Sequence, residues 1–133
     1  MDEPLQQSAT SPLSAVSNAL VALHKEQFGR GPTRARTHFA GPDAVMCILE
    51  DALLPAERKM AEMGEAQRVR ESRMAFQAAT ATEFIEAVET LLRRRVVAFG
   101  SATDVERNTV FENFALEPLS ADGNSDGRSS TTL

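Results

Sequence analysis

The periodicity of the apolar residues changes from helical to strand-like at two places along this chain, and this pattern limits the folds that the chain can adopt. Apolar residues recur every three or four positions in residues 13–28 and again in residues 69–91, as on one face of an α-helix. Each stretch is followed by two short segments typical of β-strands, joined by a polar turn. The order therefore predicts an α+β fold. We expect a two-layer αββαββ domain, in which two helices cover one face of a four-stranded antiparallel sheet.

The first helix carries a signal at each end. Ser11 can act as its N-cap, and Pro12 fits the first turn, where its missing N–H leaves no hydrogen bond unmade. Gly29 follows the last apolar residue, Phe28, in the usual place of a left-handed C-cap. We therefore expect Gly29 to have a positive φ.

The two segments after this helix predict a hairpin. Residues 33–40 alternate between a face of Thr, Ala and Phe and a face made of Arg34, Arg36 and His38, so we expect one side of this strand to face solvent. Residues 44–49 are apolar on both faces and predict an interior strand. Cys47 lies in that strand, and we interpret it as an unreactive core thiol.

The second helical stretch, Pro55–Arg94, is too long to be one straight helix in a domain of this size. At 1.5 Å per residue it would extend for about 60 Å. Gly64 is the weakest helix former within it, so we expect a break or a kink there. The last two strands are predicted at residues 96–101 and 109–117, with Glu112 as the charged exception on an otherwise apolar strand face.

Arg73 is an unusual residue of this helical stretch, because it lies inside the apolar stripe between Val69 and Phe76. A buried Arg needs a carboxylate or several hydrogen-bond acceptors. We predict that Arg73 is buried in an ion pair, with Glu50 or Asp51 at the end of the second strand as the partner. The alternatives are that its guanidinium group reaches solvent past a buried stem, or that it contacts a ligand.

Composition narrows the classes of function. The chain has 133 residues and a net charge of −5, which fits one domain and argues against general nucleic-acid binding. We find no apolar segment long enough to span a membrane and no secretory signal pattern, so we expect a cytoplasmic protein. One cysteine, two histidines and no nucleophile–base spacing predict no enzymatic activity, no metal and no cofactor. We interpret His24 and His38 as surface residues.

The two ends of the chain differ in composition from its middle. Residues 1–10 are mostly polar, and residues 119–133 are rich in Ser, Gly and Asp. Such segments bury too little apolar surface to offset the entropy of ordering them, so both are predicted to be disordered. We therefore expect one folded domain, at residues 11–118.

The strongest candidate for a binding site is the loop after the first helix together with the strand that follows it. Gly and Pro residues shape a tight loop, and basic side chains surround it in a chain of net negative charge. Backbone N–H groups and guanidinium groups bind anions well, so we predict recognition of an anion or an acidic partner. The alternative is a capped helix end followed by a solvated strand face. The predicted binding residues are Gly29, Arg30, Gly31, Pro32, Arg34, Arg36 and His38.

Five segments of the chain carry a resemblance to a known family. They are LHKEQFGRGPTRAR at 23–36, the apolar strand at 44–49, LLPAE at 53–57, Arg73-x-x-Phe76, and FALE at 114–117. Together they resemble the MpsC-like family, in particular its GRGP signature and its LTPAE helix start, and the resemblance covers residues 12–118. One departure is Arg93-Arg94-Arg95, which stands where the family usually has a glycine before the third strand.

The resemblance implies a role in membrane transport. The family is named for a component of a sodium-translocating, membrane-potential-generating system, and it has no established catalytic residues. It implies a small non-enzymatic accessory or regulatory protein of a membrane ion or inorganic-carbon transport system, located in the cytoplasm or at the inner face of the membrane. A component of the transport complex is the expected partner, and a homodimer is a further option. The alternative is an anion- or nucleotide-binding sensor that uses the same GRGP and Arg surface.

Overall fold

The computed structural model describes residues 11–119, which form three helices and four strands. The predicted α+β class is confirmed, with the second helical stretch divided into two helices. The segments predicted to be disordered lie outside the described residues, apart from residue 119. In chain order the elements are α1 (Pro12–Phe28), β1 (Arg34–Phe39), β2 (Ala44–Glu50), α2 (Pro55–Glu62), α3 (Ala66–Leu92), β3 (Val96–Asp104) and β4 (Thr109–Leu116).

Helix α1 begins and ends as predicted. The Ser11 side chain accepts a hydrogen bond from the Ser14 N–H, at 3.1 Å, and so caps the N-terminus. Gly29 has φ +86° and donates its N–H to the Lys25 carbonyl at 2.8 Å. This left-handed cap turns the chain out of the helix and toward the sheet.

The break between α2 and α3 lies at Gly64, as predicted. Gly64 has φ +87°, and the next N–H, that of Glu65, donates to the Met60 carbonyl at 2.8 Å. This bond, with that from the Gly64 N–H to the Ala61 carbonyl, forms the Schellman pattern that ends many helices. Because of this break, α3 lies along the sheet and α2 packs against α3.

The sheet is antiparallel throughout, with strand order β1-β2-β4-β3. Helices α1 and α3 pack against each other and against one face of it, which we term the inner face. Apolar side chains from both layers fill the space between them, as the two-layer prediction requires. The most deeply buried of these are Val16, Leu20, Val45, Leu49, Val88, Val110, Phe114 and Leu116.

The opposite face of the sheet, termed here the open face, has no described helix packed on it. Its residues follow from the strand register, because side chains alternate between the two faces of a sheet. One row runs Arg36, Ile48, Phe111, Ala102, and the next runs His38, Met46, Asn113, Gly100. The open face therefore has a basic edge on β1, an apolar centre and a border of small residues on β3.

Candidate functional site

The GRGP loop clamps two parts of the fold together. Arg30 donates hydrogen bonds from Nη1 to the carbonyls of Asp51, at 3.0 Å, and Leu53, at 2.8 Å, and from Nη2 to the Asp51 carboxylate, at 2.9 Å. Pro32 is buried, and a Cβ at Gly31 would lie 3.1 Å from the Val21 carbonyl oxygen. The loop thus ties the end of α1 to the β2–α2 connection, and Arg30 is engaged within the fold rather than held as a free surface charge.

Asp51, predicted as a partner of Arg73, is instead the acceptor for this clamp. Its backbone is left-handed, with φ +57°. Desolvation acts to raise the pKa of Asp51, but the Thr33 hydrogen bond and the Arg30 guanidinium outweigh it, so that pKa is lowered. The ionised carboxylate is therefore the form that the loop stabilises.

The remaining predicted binding residues lie on the solvated side of β1. Arg34, Arg36 and His38 are exposed, as the alternation predicts. Arg34 Nε and Arg36 Nη1 lie 3.4 and 3.0 Å from the Glu50 carboxylate, which the strand register places directly opposite Arg34. Glu50, the other predicted partner of Arg73, is therefore bound to the basic edge of the open face.

Arg73 is buried and paired, as expected, but its carboxylate partner is Glu57. Its Nε lies 2.8 Å from Glu57, its Nη2 also bonds Glu57 and donates to the Ala52 carbonyl at 3.1 Å, and its guanidinium carbon lies 3.8 Å from the centre of the Phe28 ring. The prediction of Glu50 or Asp51 was wrong because those side chains serve Arg34, Arg36 and Arg30. Glu57, in the LLPAE segment, also caps α2 by accepting from the Leu54 N–H at 2.8 Å.

A row of polar residues crosses the inner face of the sheet, where apolar residues are the rule. The register aligns Thr37, Cys47, Glu112 and Ser101 in adjacent strands. Thr37 also bonds Ser17 of α1, with 2.6 Å between the two hydroxyl oxygens. We term these four aligned residues the polar row.

Cys47 is the member of the polar row that lies on β2. It is fully buried, as predicted. Burial raises the pKa of the Cys47 thiol to about 11, and the nearby Glu112 carboxylate acts in the same direction. Because the thiolate is the nucleophilic form, this environment suppresses the reactivity of the thiol.

His24 and Glu112 form a buried pair that the sequence interpretation missed. His24 is 3% exposed, so the interpretation of this histidine as a surface residue was wrong. Its Nε2 lies 2.9 Å from Glu112 Oε2, although 88 residues separate the two along the chain. The available signal was positional: His24 continues the buried stripe of Val16 and Leu20 at four-residue steps, and Glu112 lies on the apolar face of β4.

His24, Arg73 and Glu112 line one cavity between α1, α3 and the inner face. Its volume is about 20 Å³, and its walls also include the rings of Phe28 and Phe84. A wider cleft of about 210 Å³ adjoins it and shares Arg73, Ser101 and Thr103. The cavity and its cleft combine buried charge, hydrogen-bonding groups and aromatic walls, the features typical of a small-molecule site.

No group of three His, Cys, Asp or Glu side chains within residues 11–119 is placed to hold a metal ion. None of the helices described there is both long enough and apolar enough to cross a membrane.

Comparison with known proteins gives a family but no closer relative. No curated protein and no solved structure matches the chain. The family described as "Na+-translocating membrane potential-generating system (MpsC)" matches residues 11–118. That range is nearly the whole part of the chain that the structure describes, and it contains the GRGP clamp, the Arg73–Glu57 pair and the polar row. The chain belongs to the MpsC family.

Proposed function

We propose that this chain is a non-enzymatic accessory or regulatory component of a membrane ion or inorganic-carbon transport system, acting at the cytoplasmic side of the membrane. The family description supports the association with a sodium-translocating, membrane-potential-generating system. The protein docks on a transport component of that system through the open face. Its partner presents an apolar patch beside an acidic one.

The observation that carries this proposal is the composition of the open face. Ile48, Met46 and Phe111 are partly exposed at its centre, and Val97 is 59% exposed near the start of β3. An apolar surface rimmed by polar residues is typical of a protein-interaction site. The small residues Ala98, Gly100 and Ala102 keep one border low, so that a partner can approach the sheet closely.

Charge gives the surface an orientation. Arg34, Arg36 and His38 form one edge of the open face in a chain of net charge −5. Glu50 neutralises one of the two arginines, so the edge keeps a positive excess. A local positive edge on an acidic protein steers an acidic partner into one orientation.

The sensor alternative has less support at the GRGP loop. Arg30 donates three hydrogen bonds within the fold, and Glu50 contacts both Arg34 and Arg36. An anion at this surface would compete with carboxylates already in place. The loop supports docking indirectly instead, because it fixes the start of β1 and hence the basic edge.

Cross-linking in intact cells tests the proposal. The tagged chain is compared with Arg34→Glu/Arg36→Glu, which reverses the basic edge, and with Arg68→Glu. Arg68 is the matched control, because its side chain is 73% exposed, like that of Arg34, but lies on α3. We expect an integral membrane transport protein to be captured by the wild type and by Arg68→Glu, and to be lost from the double variant. In membranes isolated from the same cells, capture should also weaken as salt is added, since exposed charges are screened.

Two results would overturn the proposal. One is that the double variant folds and captures the same transport protein as the wild type. The other is that sedimentation shows the purified chain to be a dimer that the double variant dissociates, with no transport protein captured. The open face would then be a self-association surface.

A further inference from the structure

The cavity between α1, α3 and the inner face collects polar atoms that the fold leaves without a partner. Four of the residues that line it each have one buried side-chain atom that makes no hydrogen bond within residues 11–119: His24 Nδ1, Gln27 Nε2, Arg73 Nη1 and Glu112 Oε1. Three of these residues are deeply buried, with 3% of His24, 6% of Arg73 and 3% of Glu112 exposed. Outside the cavity, Arg94 Nε is the remaining buried side-chain atom of this kind in that range.

This concentration is a departure from how folds treat polar groups. Buried polar side-chain atoms are nearly always paired, and leaving one unpaired costs about 1–3 kcal/mol. Unpaired atoms scattered through a protein would indicate only local imperfections. Four that line one cavity indicate a site prepared for hydrogen bonds with something that enters it.

The geometry points to a binding site for a small uncharged molecule that carries a hydrogen-bond acceptor beside a hydrogen-bond donor, as a carboxamide group does. Arg73 Nη1 and Gln27 Nε2 are donors and require an acceptor. Glu112 Oε1 is an acceptor and takes a donor, when the carboxylate is ionised. A carboxamide C=O and N–H supply both. Because His24 Nε2 donates to the ionised Glu112, His24 Nδ1 is an acceptor in the neutral ring and a donor only in the protonated ring.

Charge selects against ionised ligands. Arg73 is already paired with Glu57, and the Glu112 carboxylate is already hydrogen-bonded to His24, so neither group on the cavity wall lacks a polar partner. A carboxylate entering the cavity would lie near Glu112, and a cation would lie near Arg73. Transfer of an uncompensated charge from water into such a site is costly, whereas a neutral group loses only its water hydrogen bonds and regains them.

The shape limits how the ligand enters. The cavity volume of about 20 Å³ admits a small polar group, since one water molecule needs about 10–15 Å³ by the same measure. The rest of the ligand lies in the adjoining cleft of about 210 Å³, where Met74 and Ala102 provide apolar contacts. Phe76, 40% exposed, also lines the cavity, so a planar group would lie against aromatic rings as it enters.

The test uses three probes of nearly the same shape and different charge: acetamide, acetate and acetamidinium. The chain contains two histidines, and His38, exposed on β1, is a built-in control for His24. We expect millimolar acetamide to shift the ring NMR signals of His24 and the side-chain amide signals of Gln27, while those of His38 stay in place. Acetate and acetamidinium should produce much smaller shifts at equal concentration.

A variant separates binding from a general effect on the fold. Gln27 is only partly buried, so Gln27→Ala should fold and remove one donor. We expect it to weaken acetamide binding about tenfold, as loss of one hydrogen bond of about 1.4 kcal/mol implies. Ser14→Ala, a similar substitution at the other end of α1, should leave acetamide binding unchanged.

Three outcomes would overturn the inference. If acetate or acetamidinium binds as well as acetamide, the argument from charge is wrong. If acetamide binds but Gln27→Ala binds it equally, the ligand lies elsewhere. If no probe moves the His24 signals in the folded protein, the cavity is a structural site satisfied by water. These results are distinguishable from a failure of the proposed docking, because they are read at His24 and Gln27 on the inner side of the sheet, whereas the docking test changes Arg34 and Arg36 on the open face.

Discussion

Each face of the sheet has a local exception to the usual distribution of polar and apolar residues. On the inner face, under two helices, the polar row runs through an otherwise apolar core and includes a buried carboxylate. On the open face, Ile48 and Phe111 lie side by side on the central strands, and no helix within residues 11–119 packs over them. A sheet with one solvated side usually has polar residues outside and apolar residues inside, so both features depart from the rule.

These two exceptions indicate two kinds of role. Polar groups in the core reduce stability unless they are fully bonded, so their presence indicates either structural specificity or a ligand. Apolar groups at the surface add little to the stability of the isolated chain and indicate a partner. The inner face should therefore be sensitive to mutation in measurements of stability, and the open face in measurements of interaction.

The largest expected effect is at Arg73. Arg73→Ala leaves the Glu57 carboxylate largely buried, with 13% of its side chain exposed, and without its cation. Breaking a buried pair in this way costs about 3–5 kcal/mol, which urea unfolding would measure. Arg68→Ala on the same helix is the control and should change the unfolding free energy by no more than about 0.5 kcal/mol. Similar losses of unfolding free energy in both variants would show that the buried Arg73–Glu57 pair contributes no more to stability than an exposed arginine does.

The next effect is a dependence on pH set by Cys47. Its pKa is raised from 9.0 to about 11 in the folded state, so the unfolded chain releases the thiol proton first as pH rises. The folded state then binds more protons, and stability must fall between pH 9 and about 11. At about 1.4 kcal/mol per pKa unit, the loss at the upper end approaches about 2–3 kcal/mol.

Cys47→Ala provides the reference for this measurement. The variant keeps every other titrating group, so the difference in unfolding free energy between it and the wild type isolates the thiol. That difference should be constant below pH 9.0 and should change in favour of the variant above it. A constant difference up to pH 11 would show that the polar row does not disfavour the Cys47 thiolate.

The fold was predictable where local chemistry decides it. The N-cap of α1, the left-handed Gly29 and the break at Gly64 each follow from one or two neighbouring residues, and all three are present. Strand β1 was predictable because its burial alternates with a period of two from Arg34 to His38, although Phe39, expected on the buried face, is exposed. The division into α2 and α3 followed from the same glycine, although the sequence indicated only a break or a kink.

The site was less predictable because its contacts join distant segments. Arg73 was recognisable as a buried arginine, but choosing Glu57 as its partner requires the path of the chain after β2. His24 and Glu112 each appeared as a polar residue on an apolar face, and only the packing of α1 on β4 brings them together. A polar residue on each of two apolar faces is the signal that could have paired them.

Arg30→Ala should have a smaller effect on stability. It tests whether the predicted binding residues divide into a structural group in the loop and an exposed group on β1. Arg30→Ala removes hydrogen bonds to the Asp51 and Leu53 carbonyls and to the Asp51 carboxylate, and should lower the unfolding free energy by about 1–3 kcal/mol. Part of this loss should disappear in acid, because the pKa of Asp51 is lowered and its contribution is lost as pH falls through that lowered value. If urea unfolding finds Arg30→Ala as stable as the wild type, the loop is not a clamp.

Gly29 should give an effect of about 1 kcal/mol. A Cβ at this position meets no atom within 4 Å, so the cost of Gly29→Ala comes from its φ of +86° alone. The left-handed region costs an alanine about 1–2 kcal/mol. Gly100→Ala is the matched control on the open face, since it also has free space and lacks a positive φ, and it should be neutral or slightly stabilising. Equal melting temperatures for Gly29→Ala and the wild type would refute the cap.

The smallest effect on stability is expected at the basic edge of the open face. Arg34 and Arg36 are 73% and 49% exposed, and both contact Glu50, which is itself 31% exposed. Exposed ion pairs contribute about 0–1 kcal/mol, so Arg34→Ala/Arg36→Ala should unfold within about 1 kcal/mol of the wild type. The unfolding free energy of this double variant is best compared with that of Arg30→Ala. The three arginines lie within seven residues of one another but differ in what they contact. If the double variant loses more stability in urea than Arg30→Ala does, the basic edge is part of the structural framework of the fold. Its exposure would then no longer mark it as a surface kept for a partner.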